Sequence, residues 1–171
     1  QVDNVLPLIK TENFGTKPID QAEKILHDYI ERESIALSVR ESDEAFYNPI
    51  TDSITLPRIT QFEHAETFYS TAFHECGHST LKANRCDREA ENKTARFGSE
   101  DYSKEELVAE ITSAAIMNHI GLETLATFNN SAAYIQNWLK ALKNDKKLIV
   151  SASGKAEKAA RYILNINDEK G

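Results

Sequence analysis

Apolar positions recur along this chain with two different periods, and the change from one to the other divides it. From Asp20 to about Glu33, the residues Ala22, Ile25, Leu26, Tyr29 and Ile30 fall on one stripe at the spacing of an amphipathic helix. Ile35 to Arg40 alternates as a half-buried strand does, and Ala45 to Tyr47 and Ser53 to Leu56 read as two more short strands around an Asn48-Pro49 turn. Helical periodicity then returns and persists. Glu63 to Lys82 has no proline and repeats Ala65, Phe68, Ala72, Phe73, Cys76 and Leu81, while Thr60 and Glu63 read as a capping box that opens it. Further helices are predicted over about 103–119, 121–128, 131–144 and 151–165, with Gly121 as the first break and Ser131 as an N-cap. Residues 1–19 contain Pro7, Gly15 and Pro18 without periodicity and read as a linker or extended arm. Asn84 to Glu100 reads as a long polar loop of the kind that borders active sites. Three strands ahead of a mainly helical remainder give an α+β fold, with a small three-stranded sheet followed by a helical bundle over 20–171.

The long helix carries His74-Glu75-Cys76-Gly77-His78, an HExxH pentapeptide. Residues four apart share a helix face, so both imidazoles can reach one metal ion. Glu75 projects beside the first histidine, where a carboxylate can take a proton from a metal-activated water. Gly77 costs the helix about 1 kcal/mol relative to alanine, which points to a neighbour that leaves no room for a side chain. Two histidines rarely hold a catalytic zinc alone. Glu106 and Glu110, four apart in the next strongly helical segment, can supply a third ligand and an acceptor for the N–H of a ligating histidine. Ser103 and Glu106 also form a capping-box pattern, a reading that would leave Glu110 as the ligand.

The pattern Glu106-Leu107-Val108-Ala109-Glu110 resembles the second metal helix of gluzincin-type peptidases, which implies Glu106 as ligand and Glu110 behind it. A wider resemblance covers roughly residues 45–165. It runs through Ala45-Phe46-Tyr47-Asn48-Pro49, Asp52 to Pro57, Phe68-Tyr69-Ser70-Thr71, Arg96 to Glu100, Ala133 to Leu139, Leu142 to Lys146 and Ala156 to Ala160. In order and spacing these segments are similar to the zincin-like domain of ArdC-type antirestriction proteins. The resemblance implies a zinc metallopeptidase with one Zn²⁺ per chain on His74, His78 and Glu106, acting on a protein or peptide in a mobile-element setting. It departs from the family at Cys76 and Ser79, where larger residues are common. In such proteins a single-stranded-DNA-binding domain precedes the zincin-like one. That domain is absent from these residues, and a start at Gln1 is expected of a piece of a longer protein. A ligand set of this kind also accepts Mn²⁺ or Co²⁺.

For the oxyanion that develops in peptide hydrolysis, Tyr102 and Tyr134 are candidate donors. A non-catalytic alternative is a zinc-containing module that protects DNA or blocks a host enzyme by masking. The intact HExxH argues against it, because a purely structural site has no use for Glu75. The formal net charge of −7 argues against nonspecific nucleic-acid binding by these residues. Lys140, Lys143, Lys146 and Lys147, with Lys155, Lys158 and Arg161, read as solvated helix faces. No apolar run reaches the ~20 residues that span a bilayer, so no membrane association is expected. The two cysteines, Cys76 and Cys86, form no disulfide framework and point to a cytoplasmic setting.

Overall fold

A computed structural model describes residues 12–92 and 96–167. Helix α1 (Asp20–Glu33) buries Ala22, Leu26, Tyr29 and Ile30, four of its five stripe positions, and ends on Ser34 in the left-handed region at φ 55°. Ahead of it, the chain is tied to the body by hydrogen bonds from Phe14 N to Thr60 O (2.7 Å) and from Ile19 N to the Tyr69 hydroxyl (3.2 Å).

Strands β1 (Ala36–Arg40), β2 (Phe46–Asn48) and β3 (Ser53–Pro57) form one mixed sheet in the order β1-β3-β2. β3 lies in the middle, parallel to β1 and antiparallel to β2, and is the one buried on most of its length. The β2–β3 turn closes because Asn48 Oδ1 accepts from the amides of Ile50 (2.9 Å) and Thr51 (3.3 Å), while Asp52 adopts φ 50°. β2 is therefore an edge strand, short and set beside the next helix.

That helix, α2 (Ala65–Ser79), carries the HExxH residues. It starts later than the capping-box pattern predicts. Thr60 lies in a 3-10 turn (Ile59–Gln61), and the N-cap is His64, which makes no side-chain cap bond. Among its described residues the predicted polar loop contains one short helix, α3 (Glu89–Asn92), and it is not merely solvated, because Arg85 and Arg88 are buried. Helix α4 (Glu100–His119) is capped by Ser99, whose Oγ accepts from Tyr102 N at 3.2 Å. Ser103 is thus a turn inside the helix, donating to Ser99 O, and no cap employs Glu106. Two predicted helices are one, α5 (Leu125–Ala141), capped by Thr124 with Thr127. Ser131 sits within it as a small buried residue rather than at a start. α6 (Lys146–Ile163) begins earlier than expected because Asp145 caps it, accepting from Lys147 N at 2.9 Å.

Two apolar clusters hold these elements. The larger joins α1, the sheet, α2, the C-terminal end of α4 and the end of α6 around Tyr29, Ile54, Tyr69, Phe73 and Ile116. The smaller joins α4 to α5 and α6 through Leu107, Val108, Leu142, Ala152 and Ala156. Between them α2 and α4 cross at backbone contact. A Cβ added at Gly77 would stand 3.1 Å from Ala109 Cα and 3.3 Å from Ala109 O, so the sequence-based expectation of a close neighbour is met by another helix.

The same substitution should have opposite signs at two glycines. At Gly77 alanine gains about 1 kcal/mol of helix propensity but meets a backbone that can yield only by moving α4. At Gly154, within α6, nothing lies within 4 Å of an added Cβ. We expect Gly77→Ala to lower unfolding free energy by about 1–2 kcal/mol and Gly154→Ala to raise it by about 0.5–1 kcal/mol. Urea denaturation of the two variants checks both signs.

Candidate metal centre

One turn apart on α2, His74 and His78 point their rings to the same side, with centroids 4.7 Å apart. Their Nε2 atoms are 3.1 Å from each other. Glu106, from α4, places its carboxylate against both, 3.3 Å from His74 Nε2 and 3.1 Å from His78 Nε2. Among the described residues these three side chains form the group whose ligand atoms lie within 4.8 Å of one another. They keep only 12%, 15% and 15% of their surface exposed.

The donor separations test whether a metal fits. Two ligand atoms about 2.0–2.1 Å from a tetrahedral ion stand about 3.3–3.4 Å apart; the two Nε2 atoms are 3.1 Å apart, and the two oxygens of Glu106 lie 3.3 Å from one and 3.1 Å from the other. The far side of each imidazole agrees. His74 Nδ1 faces Glu110 Oε2 at 3.0 Å, a hydrogen bond in which the ring N–H donates. His78 Nδ1 faces Glu105 Oε1 at 3.7 Å, a charge contact. Each carboxylate favours the tautomer that leaves Nε2 with a free lone pair toward the shared point. The residues present therefore fit a divalent cation.

The electrostatics say what such a cation would replace. Burial disfavours charge on His74, but its bonds to Glu106 and Glu110 outweigh it and hold the imidazole well above its ordinary pKa. Burial likewise opposes charge on His78, yet the Glu106 carboxylate beside it raises the pKa to about 10. Burial alone would raise Glu106, and the two imidazoles instead hold it far below the usual carboxylate range. Without an ion, the carboxylates favour protonation of the rings they face. A divalent cation takes the place of those protons, so metal uptake should release them.

Glu75 is 5% exposed. Burial raises its pKa while His74 and His78 oppose the rise, and the backbone N–H of Tyr47 donates to its carboxylate. The base candidate is thus touched by edge strand β2. Tyr102, one turn before Glu106 on α4, hydrogen-bonds that carboxylate, and burial with Glu106 keeps its phenol protonated. Tyr134, on α5, lines a pocket that also contains His74, Glu75 and Glu110. Of the residues singled out in the sequence for this chemistry, His74, Glu75, Glu110 and Tyr134 line this pocket, His78 and Glu106 adjoin it through His74, and Tyr102 lies beside Glu106.

Sequence reasoning missed a further layer. Arg88 grips Glu105 with two hydrogen bonds, Nε to Oε2 at 3.0 Å and Nη2 to Oε1 at 2.7 Å. It also donates to Thr80 Oγ1 (3.0 Å) and to Gly77 O (3.2 Å), which ties Glu105 to the helix that bears the histidines. The available signal was a pair of arginines three apart in a polar segment of an acidic chain. For Tyr47 there was none, because its contact is made by the backbone.

Residues 21–155 match the zincin-like metallopeptidase family. Two DNA primases TraC of Escherichia coli are 37% and 38% identical over 164 residues, 96% of this chain but 11% and 14% of theirs. The uncharacterized protein y4eC of Sinorhizobium fredii is 34% identical over 131 residues, covering 76% of this chain and 41% of that protein. Among solved structures, the antirestriction protein ArdC from plasmid R388 is 34% identical. Its metal-free form superposes with TM-score 0.61 over 81% of this chain and 48% of ArdC, and its Mn(II)-bound form with 0.63 over 85% and 53%. The chain thus spans about an eighth of the primases and about half of ArdC. It belongs to the zincin-like metallopeptidase family.

Removing Arg88 should expose the energetic weight of the missed layer. Arg88→Met leaves Glu105 buried without its partner and is expected to cost about 3–5 kcal/mol. Arg88→Met combined with Glu105→Gln should recover most of that loss, and a double-mutant cycle by chemical denaturation reads the coupling.

Proposed function

We propose that this zincin-like domain is a zinc-dependent peptidase, with His74, His78 and Glu106 holding one ion per chain and Glu75 acting as general base. The observation that carries the reading is the pair of imidazole nitrogens 3.1 Å apart, each faced by one oxygen of the Glu106 carboxylate at 3.3 and 3.1 Å, with a buried glutamate beside His74. Two imidazoles and one carboxylate suit zinc, and the Mn(II)-bound form of ArdC shows that a relative accepts a divalent ion. When bound, the ion supplies Lewis acidity that polarises a carbonyl and brings a water's pKa toward ~7.

The chain's own residues do the rest. Glu110 accepts the His74 Nδ1–H and fixes that ring, and Glu105, clamped by Arg88, faces His78. Glu75 takes the proton of the attacking water on its carboxylate and returns it to the leaving amine. The β2 backbone N–H of Tyr47 keeps that carboxylate in place. Edge strand β2 is also available to pair with an extended substrate across the cleft. Of the two phenols, Tyr102 is assigned as donor to the oxyanion, because its hydroxyl lies at Glu106 and its surroundings include Glu75. The substrate is a protein or peptide. The domain acts as one module of a longer, mobile-element protein, as the partial coverage of ArdC and TraC supports. A cytoplasmic setting accords with two free, buried cysteines. Among the described residues no helix is long and apolar enough to cross a membrane.

Elemental analysis should find about one zinc per chain, lost in His78→Ala and Glu106→Ala and weakened roughly 10–100-fold in Glu110→Ala. Retention in Glu106→Ala with loss in Glu110→Ala would exchange the two roles. Glu75→Gln should keep the metal while hydrolysis of quenched peptide libraries falls about 10²–10⁴-fold. Unchanged hydrolysis in that variant would remove Glu75 as the base, and a wild type that takes up no metal would end the peptidase reading.

A further inference from the structure

The pocket beside the metal centre has a lining unlike that of an apolar specificity site. It occupies about 40 Å³ between α2 and α5 and shares His74, Glu75 and Glu110 with the centre. That volume takes a group of a few heavy atoms, since one water needs roughly 10–15 Å³. From α2 it receives Thr67, Ser70 and Thr71, and from α5 Thr127, Asn130 and Tyr134, both sets at helical spacing on a single face. Five hydroxyls and an amide therefore surround it, with two carboxylates at the inner end.

Their hydrogen bonds set what the pocket offers. Thr71 Oγ1 donates to Thr67 O (3.0 Å), whereas Thr127 Oγ1 is taken up by the α5 cap, donating to Thr124 O (3.0 Å) and accepting from Thr124 N (2.8 Å). Ser70 Oγ lies 3.4 Å from Ser113 Oγ. Hydroxyls that donate to the backbone keep lone pairs for an entering donor. Tyr134 is the reverse case. Its hydroxyl is buried and has no hydrogen-bond partner among the described residues. Folded proteins rarely leave such a group unsatisfied unless water or a ligand completes it.

We propose that this pocket binds the substrate side chain next to the scissile bond and selects a short, uncharged side chain that both accepts and donates hydrogen bonds, namely asparagine, serine or threonine. The inference rests on the peptidase reading above and deepens it. An apolar side chain of equal size would leave Tyr134 without a partner, and a site built to hydrogen-bond its ligand discriminates strongly against the analogue that cannot. Aspartate would bring a third negative charge beside Glu75 and Glu110.

Peptide hydroxamates test this, because the hydroxamate chelates the metal and carries a chosen side chain into the neighbouring pocket. The panel displays asparagine, threonine, leucine or aspartate on either side of the chelating group, with acetohydroxamic acid as the reference. In calorimetry on the zinc-loaded protein, the asparagine and threonine compounds should bind at least about tenfold tighter than the leucine and aspartate ones. Tyr134→Phe and Thr67→Val each remove a hydroxyl at nearly constant volume. They should narrow that gap to about threefold or less, with zinc content and acetohydroxamate affinity unchanged. Equal binding across the panel, tighter leucine binding, or a preference that persists in both variants overturns the pocket assignment alone. Absence of zinc together with no binding of acetohydroxamate overturns the peptidase reading and this inference with it.

Discussion

The contact between Gly77 and Ala109 is the constraint on which the rest of the site depends. Each small residue sits between two functional ones at the same helical offsets, Gly77 after His74 and before His78, Ala109 after Glu106 and before Glu110. When the two backbones meet, with a hypothetical Gly77 Cβ only 3.1 Å from Ala109 Cα, the imidazole pair and the carboxylate pair must converge. A helix crossing at ordinary side-chain separation would hold them apart, since interaxial distances of 8–10 Å follow the side chains at the contact. The metal centre is thus a consequence of helix packing, and its precision is that of a core contact.

Convergence of so many acids carries an electrostatic cost that explains the layers behind the first. Glu75, Glu105 and Glu110 are all buried, and Glu106 is nearly so. Each unpaired would be strongly unfavourable. Glu105 is neutralised by Arg88 in a bidentate pair, Glu110 by the ring N–H of His74, and Glu106 by both imidazoles. Among the described residues Glu75 is the one of these four acids with no hydrogen-bonded cationic partner of its own, and burial raises its pKa. The acid left without a dedicated partner is the one proposed as base, a role that requires it to gain and lose a proton, whereas the others serve best with their charge fixed.

Much of this was readable because it is local. The periodic stripe of α1, the three short strands and the HExxH spacing each follow from neighbours a few residues apart, and the order of ArdC-like segments added specificity. The propensity penalty at Gly77 even pointed to the crossing, though it could not name Ala109. What escaped depends on the fold. Thr60 and Glu63 formed a plausible capping box, yet a 3-10 turn takes up Thr60. Ser131 resembled a helix start but is buried inside α5, where its small side chain is what counts. Arg85 and Arg88 looked like loop residues because arginine is ordinarily solvated, and only the tertiary structure supplies the buried acids that justify them.

Arg85 shows how far the second layer extends. Its side chain is fully buried and forks onto Asp52 at 2.8 and 2.7 Å, with further bonds to Glu33 and to Ser79 O at the end of α2. Asp52 in turn accepts from the Tyr47 hydroxyl at 2.8 Å. Tyr47 thus belongs to the site twice, through a side chain anchored in this network and through a backbone N–H given to Glu75. A short edge strand with three residues has little intrinsic stability, so its register beside α2 must come from such anchors. A buried ion pair contributes little net free energy when exchanged for apolar packing, but it tolerates only one arrangement of its partners. Here that arrangement fixes strand β2 against the helix that carries Glu75, and so relates the position of that carboxylate to a turn more than twenty residues earlier in the chain.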